Sequence, residues 1–235
     1  MLKIIVLCLI MVSSAISQID DKTNQQQIKA EIQNVVLPKI INNNVCEASK
    51  IFGIKERDIR AFIKIESSFR PWVRGTSGEY GLMQIMPDEF ENYGNDINEF
   101  LDDKNIDSIS WETKYDKFHP RTNIMIGTYS YKKRLKRHDN HIWAAMAYNV
   151  GDGGARKTKT SLLKRGRHWY CVQIKKSIRR GRQFTYSYKF ARNAGRLSEW
   201  KAIFGDIPKN AMEAFWAGRG DSFCKKLLTE DMKGT

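Results

Sequence analysis

The stretch from Ile59 to Pro87 constrains the fold of this chain more than any other. Within it, Ile59, Phe62, Ile63 and Glu66 follow the spacing i, i+3, i+4, i+7, which places all four on one face of a helix. The first three are apolar, so this face is expected to pack against a core. A carboxylate therefore stands where a core-facing residue belongs, which is costly unless the acid is neutral, paired or used in chemistry.

Partial burial disfavours the charged form of a carboxyl group, so the pKa of Glu66 is expected to rise from about 4.3 toward about 6. A glutamate of this kind holds a proton near neutral pH and donates it to a leaving group. The competing interpretation is a carboxylate at the helix end, bonded to the backbone of Ser67 and Ser68. The pattern around Glu66 alone leaves both interpretations open.

Residues 1–17 have the pattern of a secretory signal peptide. Lys3 supplies the positive charge, residues 4–12 form a short apolar run, and small residues follow, with cleavage expected after Ala15 or Ser17. The apolar run is too short for a membrane-spanning helix. We therefore expect an exported protein, periplasmic or extracellular. An uncleaved anchor is the alternative interpretation.

Removal of the signal peptide, with Cys8, leaves Cys46, Cys171 and Cys224. Export permits disulfides, so one bridge and one spare thiol are expected, with all three pairings open. The spacing of the cysteines suits no zinc site. The sequence implies no metal ion and no organic cofactor.

The formal net charge of the chain is +14, and basic residues cluster at 132–137, 164–167 and 179–182. An exported basic protein most simply meets an anionic surface, such as the cell wall or membrane headgroups. Nucleic acid is disfavoured as a partner, because no nucleic-acid-binding motif accompanies the charge. Solvated helix faces are the remaining interpretation of these runs.

Helical periodicity dominates and no convincing alternating strand pattern occurs, so the fold class is predicted to be mainly α. An amphipathic helix disturbed by Pro38 and a short helix closed by Gly53 are expected before the helix that carries Glu66. Residues 88–119 are predicted to be acidic and irregular. The apolar run HIWAAMAY, residues 141–148, predicts a buried helix that ends at Asn149.

The predicted organisation is a single domain with extensions at both ends. Its parts are a signal peptide (1–17), a helical N-terminal extension (18–44), the domain (45–197) and a helical C-terminal tail (198–235).

Four short motifs occur in order along the chain. They are ES-x-F-x-P at Glu66–Pro71, GLMQIMP at Gly81–Pro87, P-x-x-N-I-x-x-G at Pro120–Gly127 and AYN-x-G at Ala147–Gly151. Together they resemble the motifs of the lytic transglycosylase SLT family. Each motif alone is weak, but four in this order in an exported chain are specific.

The resemblance implies a lysozyme-like, mainly helical fold and an enzyme that cleaves the glycan strands of peptidoglycan. It implies that Glu66 is the single catalytic acid and base. Ser67, beside the acid, is expected to position the substrate or the glutamate. The substrate-binding residues implied by the motifs are Ser67, Met83, Gln84, Tyr148 and Asn149.

The family also has a tyrosine near the end of the domain that hydrogen-bonds the catalytic glutamate. The threonine three residues before Tyr188, Thr185, favours Tyr188 for this supporting role. The apolar residue four positions after Tyr186, Phe190, favours Tyr186 instead. Tyr188 is the predicted residue and Tyr186 the alternative. Glu79 and Tyr80, just before Gly81, depart from the family pattern, which often has small residues there. This departure either changes the shape of the cleft or adds a second carboxylate.

The implied reaction cleaves the β-1,4 bond from N-acetylmuramic acid to N-acetylglucosamine and forms a 1,6-anhydro end without consuming water. The first alternative is a hydrolytic muramidase, which needs a second carboxylate such as Glu79, Asp88 or Asp152. The second is a non-catalytic wall-binding protein of a secretion or conjugation machine. Wall remodelling, such a machine and attack on a rival's wall all fit the sequence equally well.

Overall fold

The structure, a computed structural model, describes residues 22–176 and 178–205; the side chains of residues 22–24, 33 and 166–184 are outside this description. The predicted signal peptide, the side chains of Cys171 and Cys224, and the tail beyond residue 205 therefore lie outside the described residues. The disulfide pairing stays a prediction.

The described part of the chain is mainly helical, as predicted. Its helices are α1 (Lys22–Glu31), α2 (Leu37–Phe52), α3 (Glu56–Glu66), α4 (Pro87–Asp102), α5 (Lys114–Phe118), α6 (Pro120–His138), α7 (His141–Lys176), α8 (Ile178–Asn193) and α9 (Leu197–Phe204). Extended pairing within these residues is limited to isolated bridges that join Tyr80 to Arg74 and to Ile85.

The described part of the chain divides into two compact units, with the division between Asn44 and Val45. In the first unit the helix continues through Pro38, where the sequence predicted a disturbance. A π-helical turn, Ile32–Val36, lies immediately before, and the Leu37 N–H bonds to the Ile32 carbonyl, five residues back. A wider turn gives the proline ring room against the preceding carbonyls, so the helix is not broken.

Helix α3 has the amphipathic face that the spacing predicted. Ile59, Phe62 and Ile63 are at most 1% exposed. Glu56 and Asp58 lie in its first turn, where negative charge is favourable at the positive end of the helix dipole. Glu66, the last residue of α3, follows on the same face of the helix.

The prediction of an irregular segment over residues 88–119 is wrong, because α4 fills its first half. Pro87 starts this helix, and Phe90, Ile97 and Leu101 form its buried face. The ring of Trp111 lies directly over Gly94, where a side chain would clash with it. Acidic residues crowd the other faces, which left an apolar stripe too sparse to stand out in the sequence.

Helix α7 also differs from its prediction. It does not end at Asn149 but continues to Lys176, with residues 142–147 buried as expected. Gly151 has φ +76°, so the regular helical backbone is interrupted there without ending the helix.

Candidate active site

Glu66 is the last residue of α3, and the chain leaves this helix through an unusual turn. The N–H groups of Ser67 and Phe69 both donate to the Ile63 carbonyl, at 3.2 and 3.4 Å. Ser68 and Phe69 have left-handed backbone angles, with φ of 53° and 64°. Such angles are uncommon outside glycine and tend to concentrate at functional sites. The turn holds Glu66 at a fixed helix end.

The Glu66 side chain is partly exposed, and the Tyr186 hydroxyl donates a hydrogen bond to its Oε1 atom. The pKa of Glu66 is raised to about 7: burial raises it most, the hydrogen bond from Tyr186 lowers it in part, and the charge of Glu79 adds to the increase. The helix-end interpretation is not supported, since the partner is Tyr186 and the Ser67 N–H donates to Ile63. Glu66 is therefore poised between its acid and base forms near neutral pH.

The prediction of Tyr188 as the tyrosine that contacts Glu66 is wrong. Tyr188 packs edge-on against Trp200, with ring centroids 5.2 Å apart. Tyr186 is 7% exposed and shares one face of α8 with Phe190, and both rings approach Phe62 beneath Glu66. The spacing of four residues between Tyr186 and Phe190 is the sequence signal that favours Tyr186, the alternative to the predicted Tyr188.

Burial of the Tyr186 hydroxyl, together with the charge of Glu66, raises the pKa of Tyr186 well above its usual value. We expect Tyr186→Phe to raise the pKa of Glu66, because the hydrogen bond that favours the carboxylate is lost. Activity should fall about tenfold or more, since hydrogen bonds to charged groups contribute about 1.5–3 kcal/mol. Tyr188→Phe is the matched control, and an equal or larger loss in that variant would refute the assignment. Rates against pH measure both effects.

Ser67 supports the site from within the protein. Its side chain is 2% exposed, and its hydroxyl lies 2.8 Å from the Leu82 carbonyl and 3.1 Å from the Ile63 carbonyl. The expectation that Ser67 contacts substrate is therefore corrected. The serine ties the end of α3 to the GLMQIMP loop.

That loop is folded tightly by its own backbone. The Gly81 N–H donates to the Val73 carbonyl at 2.9 Å, and Tyr80 and Ile85 exchange backbone hydrogen bonds at 2.9 and 3.0 Å. Gly81 and Gln84 have φ of 76° and 49°. The left-handed angle explains the need for glycine at the first of these positions.

Asn123 of α6 anchors the loop from below and is fully buried. Its Oδ1 accepts from the Met83 N–H at 2.8 Å, and its Nδ2 donates to the carbonyls of Tyr80 and Lys117 at 2.8 and 3.0 Å. A β-carbon on Gly81 would lie 2.5 Å from Nδ2. Asn123 of the third motif therefore packs directly against Gly81, the first residue of the GLMQIMP motif, and a side chain at residue 81 would displace it.

Gly127 of α6 lies directly against Met83. A β-carbon there would stand 2.6 Å from the Met83 sulfur and 2.9 Å from its Cβ. We expect Gly127→Ala to cost about 1–3 kcal/mol of unfolding free energy through overpacking. Gly153→Ala is the control, because Gly153 is helical and has no atom within 4 Å of its β-carbon position. Urea denaturation should show that change to be neutral or stabilising, and equal losses would contradict the packing explanation.

Met83 is itself fully buried, so its side chain does not line an open cleft as predicted. Its carbonyl accepts a hydrogen bond from the Tyr148 hydroxyl at 3.0 Å. The Tyr148 ring packs on Phe62, with centroids 4.6 Å apart. Burial, with the charges of Glu89 and Glu66, raises the pKa of Tyr148 well above its usual value, so it stays a proton donor.

Arg134 and Glu89, which were not predicted from the sequence, form an ion pair next to Tyr148. The Arg134 guanidinium lies 5.3 Å from the Tyr148 ring centre and pairs with Glu89 at 2.7 Å. It also contacts Ser130 and the Ala147 carbonyl. Arg134 belongs to the basic run 132–137, which hid its role among charges that suggested solvated faces.

The two remaining predicted substrate residues differ in accessibility. Asn149 is exposed and Gln84 is partly exposed. Gln84 donates its amide hydrogens to the carbonyls of Val73 and Gly81, at 3.0 and 2.9 Å, so its oxygen is the group left for a ligand. Gln84, Tyr148 and Asn149 are thus the predicted substrate residues whose side chains are at least partly accessible.

The three candidate second carboxylates separate clearly. Asp152 pairs with Arg137 at 2.5 Å and His138 at 2.9 Å, and these bonds lower its pKa although burial acts to raise it. Asp88 is an exposed residue in the first turn of α4. Glu79 is the acid whose charge acts on Glu66.

No set of three His, Cys, Asp or Glu side chains within the described ranges is arranged to hold a metal ion. No helix formed by these residues has the length and apolar character needed to cross a membrane.

A helical fold that presents one partly buried glutamate, backed by a tyrosine and a motif loop, is that of a lysozyme-like glycan-cleaving domain. Residues 43–168, more than half of the chain, match the transglycosylase SLT domain, and the protein belongs to this family.

Similar proteins agree with this membership. The chain is 27% identical over 176 residues to the membrane-bound lytic murein transglycosylase E of Buchnera aphidicola, and the alignment covers 68% of this chain and 73% of that protein. The 70 kDa soluble lytic transglycosylase of Escherichia coli shares the fold, with a TM-score of 0.51, 23% identity and coverage of 70% of this chain. The lytic transglycosylase Slt of Pseudomonas aeruginosa, solved as an inactive mutant, also shares the fold. Its TM-score is 0.51, its sequence identity is 20%, and the match covers 70% of this chain. The match spans about a quarter of each of these two structures, 24% and 25%.

Proposed function

We propose that the protein is a peptidoglycan lytic transglycosylase in which Glu66 is the single catalytic acid and base. The proposal rests mainly on the state of the Glu66 carboxyl group. This group accepts a hydrogen bond from the Tyr186 hydroxyl, and its pKa is raised to about 7. A group with this pKa can both give and accept a proton at neutral pH.

In the first step protonated Glu66 donates its proton to the glycosidic oxygen between N-acetylmuramic acid and N-acetylglucosamine. The bond to C1 breaks, the glucosamine leaves with a free 4-hydroxyl, and C1 acquires oxocarbenium character. The Tyr186 hydroxyl stabilises the carboxylate that remains, because it donates to the charged oxygen.

In the second step the Glu66 carboxylate accepts the proton of the muramic C6 hydroxyl. The C6 oxygen then closes on C1 to form the 1,6-anhydro ring, and Glu66 returns to its acid form. No water is consumed, and a single carboxyl group suffices because the substrate supplies the nucleophile. Hydrolytic glycosidases generally need two carboxyl groups at set separations.

A hydrolytic muramidase is the second candidate function, and one observation favours it. Glu79 is near enough for its charge to act on Glu66. Its carboxylate is held by the Ser77 N–H at 3.0 Å within its own loop. A base or nucleophile must reach the sugar on the face opposite the acid. We rank this function second because the Glu79 carboxylate is instead held by its own loop.

We also propose export to the periplasm or the cell exterior, with peptidoglycan glycan strands as substrate. The pattern of residues 1–17 and the net charge of +14 support export and attraction to an anionic wall or membrane surface. A secretion or conjugation machine, which needs a local hole in the wall, is a further candidate partner.

Product analysis tests the proposal. Purified peptidoglycan is digested with the mature protein, and the soluble fragments are reduced with borohydride and weighed by mass spectrometry. We expect 1,6-anhydro ends, which borohydride does not reduce. Reducible ends would replace the proposal by hydrolysis, and the absence of fragments would favour a binding protein.

The pH dependence of activity should follow Glu66. Because its pKa is raised to about 7, the acid form persists up to that pH, and kcat/KM should fall about tenfold per pH unit above it. Glu79→Gln removes a charge that raises this pKa, so the falling limb should move to lower pH. A limb that stays in place in Glu79→Gln would contradict the effect of Glu79 on Glu66, and parent activity that rises between pH 7 and 8 would contradict Glu66 as the acid.

A further inference from the structure

Two acceptor oxygens converge above Gly75, in the loop between α3 and α4. The place that a β-carbon of residue 75 would take is 2.1 Å from Glu79 Oε2 and 2.7 Å from Gln84 Oε1. The absence of a side chain on Gly75 is what allows both oxygens to occupy this space. They are close enough for one donor nitrogen to reach both at ordinary hydrogen-bond distances of about 2.7–3.2 Å.

Both side chains are held in place by the loop. The Ser77 N–H donates to Glu79 Oε2 at 3.0 Å, and the Gln84 amide hydrogens donate to the Val73 and Gly81 carbonyls. These bonds fix the Gln84 orientation so that its oxygen, and not its nitrogen, lies over Gly75. The geometry therefore presents acceptors alone.

The Glu79 carboxylate forms no salt bridge with any cation in the described part of the chain. Arg74, on the same loop, lies over the Tyr80 ring at 5.2 Å from its centre, and Lys117 approaches that ring at 5.9 Å. A half-buried negative charge beside an amide oxygen is best satisfied by a positively charged donor, because charge-assisted hydrogen bonds are about twice as strong as neutral ones.

The pair belongs to the neighbourhood of the proposed active site. Gln84 is part of the GLMQIMP loop, which Ser67 ties to the end of α3 next to Glu66. The electrostatic effect of Glu79 on Glu66 agrees with this placement.

We propose that Glu79 and Gln84 form a subsite beside Glu66 that binds a primary ammonium group of the wall polymer. This inference rests on the proposed function, because it assigns the ligand to the same substrate. Two sources carry such a group: an amine on the peptide side chains, and a glucosamine that has lost its acetyl group.

Binding can be measured without turnover in the Glu66→Gln variant by isothermal titration calorimetry at about pH 6, where amines are charged. One ligand pair is a muropeptide oligomer with its peptide amines free or chemically acetylated. The other is a peptide-free glycan with glucosamine amines free or acetylated. The same ligands are titrated into Glu66→Gln combined with Glu79→Gln, and into Glu66→Gln combined with Glu91→Gln as the control on an exposed acid of α4.

We expect the free amine to bind about tenfold or more tightly than its acetylated form in one of the two pairs. That preference should disappear with Glu79→Gln and persist with Glu91→Gln, and the pair that shows it identifies the source. Equal affinities in both pairs, a preference that survives Glu79→Gln, or no binding of any ligand would overturn the subsite. The proposed function fails separately, through the products of the wild-type protein.

Discussion

Glu66→Gln is expected to lower peptidoglycan turnover by about 10²–10⁴-fold, the usual contribution of a general acid and base. Glutamine keeps the size of the side chain and can still accept the hydrogen bond from Tyr186. It carries no proton that can be donated to the glycosidic oxygen, and it cannot take the proton of the C6 hydroxyl. Steady-state release of soluble fragments measures the effect.

Glu91→Gln is the matched control, since Glu91 is an exposed acid of α4 outside the site. Its rate should equal that of the parent protein. The unfolding free energy of Glu66→Gln should be no lower than that of the parent, because the change removes the charge of a partly buried group rather than a packing contact. Activity of Glu66→Gln within tenfold of the parent would end the assignment of Glu66 as acid and base.

Asp58→Asn is expected to cost about 3–5 kcal/mol of unfolding free energy, the largest stability effect that we anticipate. Arg196 donates to both oxygens of Asp58, at 2.8 and 2.7 Å, and the side chains are 1% and 5% exposed. This pair fastens the Glu66 helix to the segment between α8 and α9. Asparagine would leave the buried guanidinium without its charged partner on α3.

Glu56→Gln provides the comparison, because Glu56 lies in the same first turn of α3 and has the same relation to the helix dipole. Its ion pair with Arg60 is exposed, at 44% and 35%, and pairs of this kind contribute less than about 1 kcal/mol. Urea denaturation of both variants separates a burial effect from a general effect of charge. Similar losses in the two would show that the Asp58 bridge is not a buried clamp.

Local periodicity was sufficient to predict the features that depend on neighbouring residues. The face formed by Ile59, Phe62 and Ile63 is buried as the spacing required, and residues 142–147 form the expected buried helix. The raised pKa of Glu66 also followed from its position on that face. In each case the determining residues lie within one or two helical turns of each other.

Contacts between segments that are distant in the sequence could not be predicted from local periodicity. Tyr186 is 120 residues from Glu66, and two tyrosines with overlapping patterns competed for one role until α8 placed Tyr188 against Trp200. The pairing of Arg134 with Glu89 had no signal at all, because a basic run predicts only charge.

Burial also reversed two predicted roles. Ser67 and Met83 were predicted to bind substrate, yet both side chains are enclosed, and they act through the hydroxyl contact with Leu82 and the carbonyl that accepts from Tyr148. A motif identifies residues that a site needs, but it does not distinguish those that touch the ligand from those that hold the loop.

Glu66 is proposed to cleave the glycan without water, and digestion in ¹⁸O-labelled water separates this reaction from hydrolysis. The fragments are weighed by mass spectrometry without reduction. We predict new muramic ends that carry no ¹⁸O and that are one water lighter than a hydrolysed end. Ends that contain one ¹⁸O atom would show that water attacks C1, and a water-free reaction through a single glutamate would then be wrong.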